Sequence, residues 1–246
     1  GYASCPLVTG YGTVILAEEL TGGKGRFQRG WHAPRGGLWL TLVLVNTLLP
    51  EQTHLYPLAA GLACCEAVRH YGIDARLKWV NDVLVSGRKL VGVLTETVVG
   101  PRYGEQYILI GVGLNVNNLE FPSELSSLAV SMRSLLGKEV DFDLLAARLL
   151  AKFVWNIGLL HYEEHLLLQE GELSDGTSGS PLLLDRWQQL SDSLGRRVRF
   201  GYDVQLQPQY EAEVVGLDPS GGLLLRLLPD GNTTVCERSG EILYLD

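Results

Sequence analysis

Two short segments of this chain carry the charges that chemistry on anions requires. The first is Gly23-Lys24-Gly25-Arg26-Phe27-Gln28-Arg29-Gly30-Trp31, a loop of glycines and cations. Glycines let backbone N–H groups approach an anion, and Lys24, Arg26 and Arg29 add positive charge. The second is Lys78-Trp79-Val80-Asn81-Asp82, followed by Gly92-Val93-Leu94-Thr95-Glu96. A lysine that ends a strand ahead of a turn projects into a crevice. A third piece, Gly111-Val112-Gly113-Leu114-Asn115, supplies an asparagine suited to a phosphate or ribose, or equally to a left-handed turn. Such a set suits a site that holds a carboxylate and a phosphate close together. Each piece alone also has a plainer reading. The loop is then a solvated basic segment, Lys78 an exposed strand end, and Asn81 and Asp82 turn residues that bond their own backbone. The loop is neither a Walker A sequence, which ends in Gly-Lys-Ser/Thr, nor a dinucleotide fingerprint, whose GxGxxG spacing it lacks.

The flanking pattern predicts what positions these pieces. Residues 13–17 read as a buried strand that feeds the loop, with Trp31 and Pro34 anchoring its far end. Residues 38–45 read as a second strand. Leu58, Leu62, Cys65 and Val68 recur at helical spacing in a helix over 55–71 that Gly72 stops. Short strands at 76–79 and 82–85 flank the Val80-Asn81 turn, with further strands at 89–98 and 107–112. A long helix over 143–168, capped by Asp141 or Asp143, leads through a polar loop at 170–180 to a short helix at 182–190. Short β-like runs at 197–200, 211–216, 223–227, 233–236 and 242–245 then alternate with turn sequences, which suggests a small β-barrel. The expected class is α+β, with one domain over 1–190 and a second over 191–246.

Composition limits the function. The 246 residues hold 46% hydrophobic side chains, enough for a substantial core, and the net charge is −8. An acidic chain is a poor general binder of nucleic acid, so the basic loop stands out. Cys5, Cys64, Cys65 and Cys236 form no CxxC pair, which argues against a zinc ribbon. The vicinal pair Cys64-Cys65 reads as buried packing, and cysteine usage fits the reducing cytoplasm. No uninterrupted apolar run reaches the ~18–20 residues of a membrane span, and no signal-peptide pattern opens the chain. The sequence starts without Met, with Met132 its only one, consistent with a start partway into a longer protein.

The order and spacing of these motifs resemble the biotin protein ligase family from about Thr13 to Asn117, and the likeness extends through Ser123–Leu136 and the long helix. It includes Leu194-Gly195-Arg196-Arg197-Val198 and Ser239-Gly240-Glu241, which resemble the family's small SH3-like barrel. The resemblance implies a mixed-sheet biotin/lipoate ligase-type catalytic domain with a C-terminal SH3-like β-barrel. It implies substrates too, ATP with Mg²⁺ and biotin, and a biotin carboxyl carrier protein as partner. No protein-held metal, nucleic acid or membrane is implied, and a homodimer is left open. By resemblance, Lys24 lies near the ureido ring, Arg26 holds the reactive intermediate, and Lys78 sits between the biotin carboxylate and the nucleotide phosphate. Asn115 matches an adenylate-site asparagine. Gly23, Gly25, Arg29, Trp31 and Gly92 complete the expected substrate-binding set.

The chain departs from the family pattern in places. Leu20 stands where the family has a glutamine that bonds biotin, Phe27-Gln28 replaces Arg-Gly, and Val80 replaces proline. The family's Ser-Thr-Asn motif would fall at or before Gly1, and no helix-turn-helix precedes the core, so a DNA-binding role is not supported. These departures keep a lipoate or related-acid ligase, and a non-catalytic homologue, as alternatives. His161-Tyr162-Glu163-Glu164-His165 matches the zinc-protease pattern H-x-x-E-H but reads as a polar stripe on the long helix. The glycine-rich loop, with little apolar surface to bury, is expected to be mobile until a ligand supplies its anion.

Overall fold

A computed structural model of the chain describes residues 3–7, 12–100, 104–170, 181–228 and 231–245. Its first sheet has seven strands. They are β1 (Ala3–Leu7), β2 (Gly12–Ala17), β3 (Leu38–Val45), β4 (Arg76–Lys78), β5 (Asp82–Val85), β6 (Arg88–Val99) and β7 (Gln106–Leu114). Their order is β1-β2-β3-β7-β6-β5-β4. Every ladder in it is antiparallel. The parallel component of the expected mixed sheet shrinks to isolated bridges, Leu77 with Ser191 and Lys89 with Ala129. β1 and the short helix α2 (Met132–Leu136) were not foreseen, although α2 carries its own signals. Ser131 and Ser134 form a capping box, and Gly137 closes the helix with φ 69°. The expected loop at 170–180 lies outside the described residues from 171 onward.

Helices cover one face of this sheet. In α1 (Tyr56–Arg69) nearly every side chain is buried, which is what a helix apolar on all sides demands. Its small residues Ala59, Ala60, Gly61 and Ala63 allow close approach to the strands. Gly72, at φ 80°, follows its end, and its N–H bonds Arg69 O at 3.0 Å. Cys64 and Cys65 lie in this helix, fully buried, and burial raises the Cys65 thiol to about 12. The long helix α3 (Phe142–Glu170) is opened by Asp141, whose carboxylate accepts the Leu144 N–H at 3.0 Å. It packs on α1 and on α4 (Leu182–Leu190) through Leu145, Leu149, Phe153 and Leu160. By length and mean hydropathy, 142–169 would suffice to cross a bilayer. Charged residues such as Arg148 and Lys152 interrupt its apolar run.

The last five strands form a second antiparallel sheet. They are β8 (Arg197–Gly201), β9 (Pro208–Leu217), β10 (Leu223–Leu227), β11 (Thr234–Glu237) and β12 (Glu241–Tyr244). The order β11-β10-β9-β8-β12 leaves β11 and β12 as edges, so the sheet is open rather than a closed barrel. Its Val198, Phe200, Val214 and Leu225 join the core of the first sheet. A direct tie runs to β4, where the Asp192 N–H bonds Leu77 O at 2.9 Å. This tie brings the C-terminal sheet to the end of the strand that carries Lys78.

The α3 packing is the contact most easily tested. Phe153 is fully buried, and truncation of a buried aromatic leaves a cavity costing about 3–5 kcal/mol. Phe153→Ala should lower the unfolding free energy by that amount in a urea titration. A loss under about 1 kcal/mol would mean that α3 is not packed as described.

Candidate active site

The uncovered face of the first sheet holds the sequence motifs, and strand register aligns them. Side chains alternate across a strand, so on β7 Ile108, Ile110, Val112 and Leu114 go to the core. Gly111 and Gly113 therefore face the other way. The pairings Trp39–Gly113, Gly113–Gly92 and Gly92–Asp82 then form one row across β3, β7, β6 and β5. Two glycines in mid-row leave a bare backbone floor, on which the Trp31 indole lies. A Cβ on Gly113 would stand 2.4 Å from Trp31 Nε1, and one on Gly92 would stand 2.9 Å from Trp31 Cζ3. The two glycines thus make room for one aromatic ring. Lys89 Nζ sits 5.2 Å from the centre of that ring. The Trp31 indole Nε1–H is buried and meets no hydrogen-bond partner among the described residues.

The glycine-rich loop folds over this floor as a narrow ribbon. Leu20 pairs with Ala33 and Lys24 with Gly30, and the Trp31 N–H donates to Gly23 O at 2.9 Å. At its tip the Gly25 N–H donates to Arg29 O at 2.8 Å, enclosing a tight turn over Arg26–Gln28. Phe27 and Gln28 both take positive φ, 55° and 60°. That region is strained for residues with a Cβ, and Gln28 stands where the family pattern has glycine. The Phe27 ring is held by both neighbouring guanidiniums, Arg26 at 5.0 Å and Arg29 at 5.4 Å. Arg26 points inward, whereas Lys24 is exposed.

Lys78 ends β4 beside the C-terminal sheet. Its Nζ lies 5.1 Å from the Tyr244 ring, which Arg196 also faces at 4.4 Å. Burial lowers the Lys78 pKa, Asp82 opposes this, and Lys89 adds to it. Arg26 is lowered by burial as well, against the pull of Glu241 and Asp82. Asp82 itself pairs with Lys89 Nζ at 2.7 Å. The polar residues around the turn are structural in their contacts. Asn81 donates to Val93 O, and Asn115 Oδ1 accepts from Asn118 Nδ2 at 3.1 Å. The Trp79–Val80 peptide between them and Lys78 is cis.

The structure therefore seats Trp31 on Gly92 and puts Arg26 and Lys78 in the field of the same two carboxylates, Asp82 and Glu241. It holds Gly23 and Gly25 in the ribbon, leaves Lys24 outside, and buries Asn115 at the end of β7. Arg29 is turned elsewhere: it bonds Asp203 and Glu241 of the C-terminal sheet. The ribbon carries hydrogen bonds of its own, and protein carboxylates stand at Arg29, one of the cations expected to meet a ligand anion. Lys89, Asp203 and Tyr244 were missed. Strict alternation along β6 would put Lys89 on the core face with Val91 and Val93, and the register shift against β5 turns it to the floor; the other two come from remote parts of the chain. The H-x-x-E-H glutamates are occupied as caps, Glu164 on the Leu49 N–H at 2.6 Å and Glu163 on the Leu183 N–H at 3.0 Å.

Comparisons with known proteins show what the chain is similar to in sequence and fold. The sequence model of the Biotin/lipoate A/B protein ligase family matches residues 9–115. The chain is 35% identical over 134 residues to the bifunctional ligase/repressor BirA of Bacillus subtilis, covering 53% of this chain. It spans only 41% of that relative's length. To the biotin–[acetyl-CoA-carboxylase] ligase of Mycobacterium tuberculosis it is 30% identical over 244 residues, covering 95% of this chain and 79% of that protein. In fold it resembles the biotin protein ligase from Aquifex aeolicus in complex with biotin and ATP. The TM-score is 0.74 at 24% identity, covering 94% of this chain and 88% of that one.

The glycine floor makes an asymmetric prediction. Gly111→Ala meets only Leu94 O, at 3.5 Å, whereas Gly113→Ala collides with the indole. Gly113→Ala should unseat Trp31 and shift its emission to the red, read as the difference from the matching Trp31→Phe protein. Gly111→Ala should leave that difference spectrum unchanged. Equal spectra for the two variants would contradict the seating of Trp31 on the row.

Proposed function

The chain belongs to the biotin protein ligase family, and from that premise we propose that it is an ATP-dependent ligase that forms biotinyl-5′-AMP. It then passes the biotinyl group to a lysine of a biotin carboxyl carrier protein. The observation that carries this reading is that Arg26 and Lys78 both lie in the field of Asp82, which ends the Trp31 row, and of Glu241. Both are cations held at a desolvation cost, and both gain from an anion placed between them. The open C-terminal sheet we read as the family's SH3-like barrel, and 191–246 as a second domain.

Two negative groups, the biotin carboxylate and the ATP α-phosphate, must approach within bonding distance. At 4 Å their repulsion is about 4 kcal/mol at an effective dielectric of 20, so fixed cations are needed. A carboxylate oxygen attacks the α-phosphorus, the bond to the β-phosphate oxygen breaks, and pyrophosphate leaves. Mg²⁺ would accompany the ATP phosphates as their counter-ion. Arg26 and Lys78 stabilise the charge that develops on the phosphoryl oxygens. The ribbon over the floor keeps water from the mixed anhydride. In the second step the carrier's neutral lysine amine attacks the acyl carbon, AMP leaves, and the amine proton passes to solvent. The unmet Trp31 indole N–H is a spare donor for a ligand bound beside the floor.

Leu20 supports a second reading, an altered acid specificity. It sits at the ribbon's entry, its N–H bonded to Ala33 O at 3.0 Å, and offers no polar side-chain atom. A ureido group left without one bond loses about 1–3 kcal/mol. Leu20→Gln should therefore tighten biotin binding by calorimetry, and unchanged or weaker binding would show that another group meets the ureido ring.

Activity itself is tested directly. The protein with its full N-terminal sequence should release pyrophosphate only when biotin and MgATP are both present, and should then label a carrier domain. Lipoate-dependent release in place of biotin would select the alternative acid. Lys78→Ala should slow adenylation at least about tenfold, given about 1.5–3 kcal/mol for a charge-assisted bond, with little change in melting temperature. The pH profile follows from the sign of the shift. Adenylation needs Lys78 protonated, and its pKa lies below the ordinary 10.5, so the rate should fall on the alkaline side with a midpoint below that value. Lys78→Arg should move this limb to higher pH. A limb that stays in place would assign it to another group.

A further inference from the structure

Arg29 makes the shortest and most distant polar contacts of the ribbon. Its Nη1 and Nη2 bond Glu241 Oε1 and Oε2 at 2.9 and 2.8 Å, a two-pronged pairing. Nη2 also bonds Asp203 Oδ1 at 2.6 Å. Asp203 follows β8 and Glu241 opens β12, so both carboxylates belong to the C-terminal sheet. They lie 174 and 212 residues along the chain from Arg29. Both acids are largely buried, at 19% and 18% exposure, against 38% for Arg29. A single exposed pair contributes little, but a guanidinium shared by two fixed carboxylates is a network whose members hold one another. The acids are fixed by their own backbones. Asp203 accepts the Leu206 N–H at 3.3 Å, and Glu241 is paired with Gly201 across the sheet.

The main chain of Arg29 links this grip to the crevice. Its N–H donates to Arg26 O at 3.1 Å, its O accepts the Gly25 N–H, and its guanidinium shares the Phe27 ring with that of Arg26. Moving Arg29 therefore moves the turn that presents Arg26. Glu241 also acts electrostatically on both Arg26 and Lys78. We infer that Asp203 and Glu241 are positioning residues: they latch the glycine-rich ribbon onto the C-terminal sheet through Arg29, and so hold Arg26 over the floor. Arg29 is then the pin of the latch rather than a substrate contact. The role in retaining the adenylate rests on the ligase activity proposed above, whereas the latch itself does not.

Hydrogen exchange on the full-length protein without substrates reads the latch alone. The Gly25 and Trp31 amides, both bonded within the ribbon, are its reporters. Arg29→Gln, and separately the pair Asp203→Asn with Glu241→Gln, should speed their exchange about tenfold and leave amides of β9 and β10 unchanged. Parent protection should fall with added salt, and that dependence should vanish in both variants. Unchanged ribbon exchange in Arg29→Gln overturns the latch even if the acid variants unfold the C-terminal sheet. With biotin and MgATP, the same variants should release severalfold more biotinyl-AMP into solution per carrier labelled. Faster exchange without that release would confine the latch to folding and overturn its positioning role. If no pyrophosphate forms even in the parent, the activity assignment fails, and the exchange result still decides the latch.

Discussion

The antiparallel register across β3, β7, β6 and β5 is the constraint on which the site depends. It fixes Trp39, Gly113, Gly92 and Asp82 in one row, because each pairing is set by a ladder of backbone bonds. A slip of one residue in any ladder would turn a core side chain onto the floor and send a glycine into the core. The apolar set Ile108, Ile110, Val112, Leu114 and Val91, Val93, buried beneath the helices, opposes such a slip. The core thus specifies the site without touching it. Where the row lacks side chains, Trp31 is admitted, and Asp82 at its end can pair with Lys89.

The second organising fact is charge crowding. Arg26, Lys78 and Lys89 gather around the floor, and Arg29 adjoins them. Like charges at such spacing repel, and the desolvation of Arg26 and Lys78 adds to the cost. Asp82 and Glu241 offset both effects. They hold the cations in place without saturating them, which leaves a crevice that favours an incoming anion. A ligase that must bring a carboxylate to a phosphate needs this state, since cations fully paired with protein carboxylates would have little left for substrate.

The C-terminal sheet is more than an appendage to this arrangement. It contributes Glu241 and Tyr244, and its β8–β9 turn Asp203, to the surroundings of Arg26, Arg29 and Lys78, and the Asp192 backbone in the segment leading into it grips β4 beside Lys78. Its apolar residues are continuous with the main core. Such continuity makes its position relative to the ribbon definite enough for short polar contacts to span two sheets.

Much of this was legible in the residues. Period-two and helical spacing located β2, β3, α1, α3 and α4, because burial of one face imposes that spacing on the sequence. The glycine-rich loop and Lys78 were recognisable in combination, by their order and spacing with the Asn115 segment, since each alone also reads as a solvated loop or a strand end. Three things were not legible. The function of Gly92 and Gly113 as a seat for Trp31 depends on which strands lie side by side, and local sequence does not state that. The destination of Arg29 depends on Asp203 and Glu241, whose side chains carry no mark of a partner some two hundred residues away. The contacts of the ribbon with the C-terminal strands, which composition does not announce, come from that same long-range pairing. Local propensity and periodicity are encoded by neighbours in the chain, whereas these contacts arise only when folding brings remote strands together. The sequence by itself therefore determined the elements, the family and the cations; the tertiary structure decided which cations face the crevice and which one is spent in holding it shut.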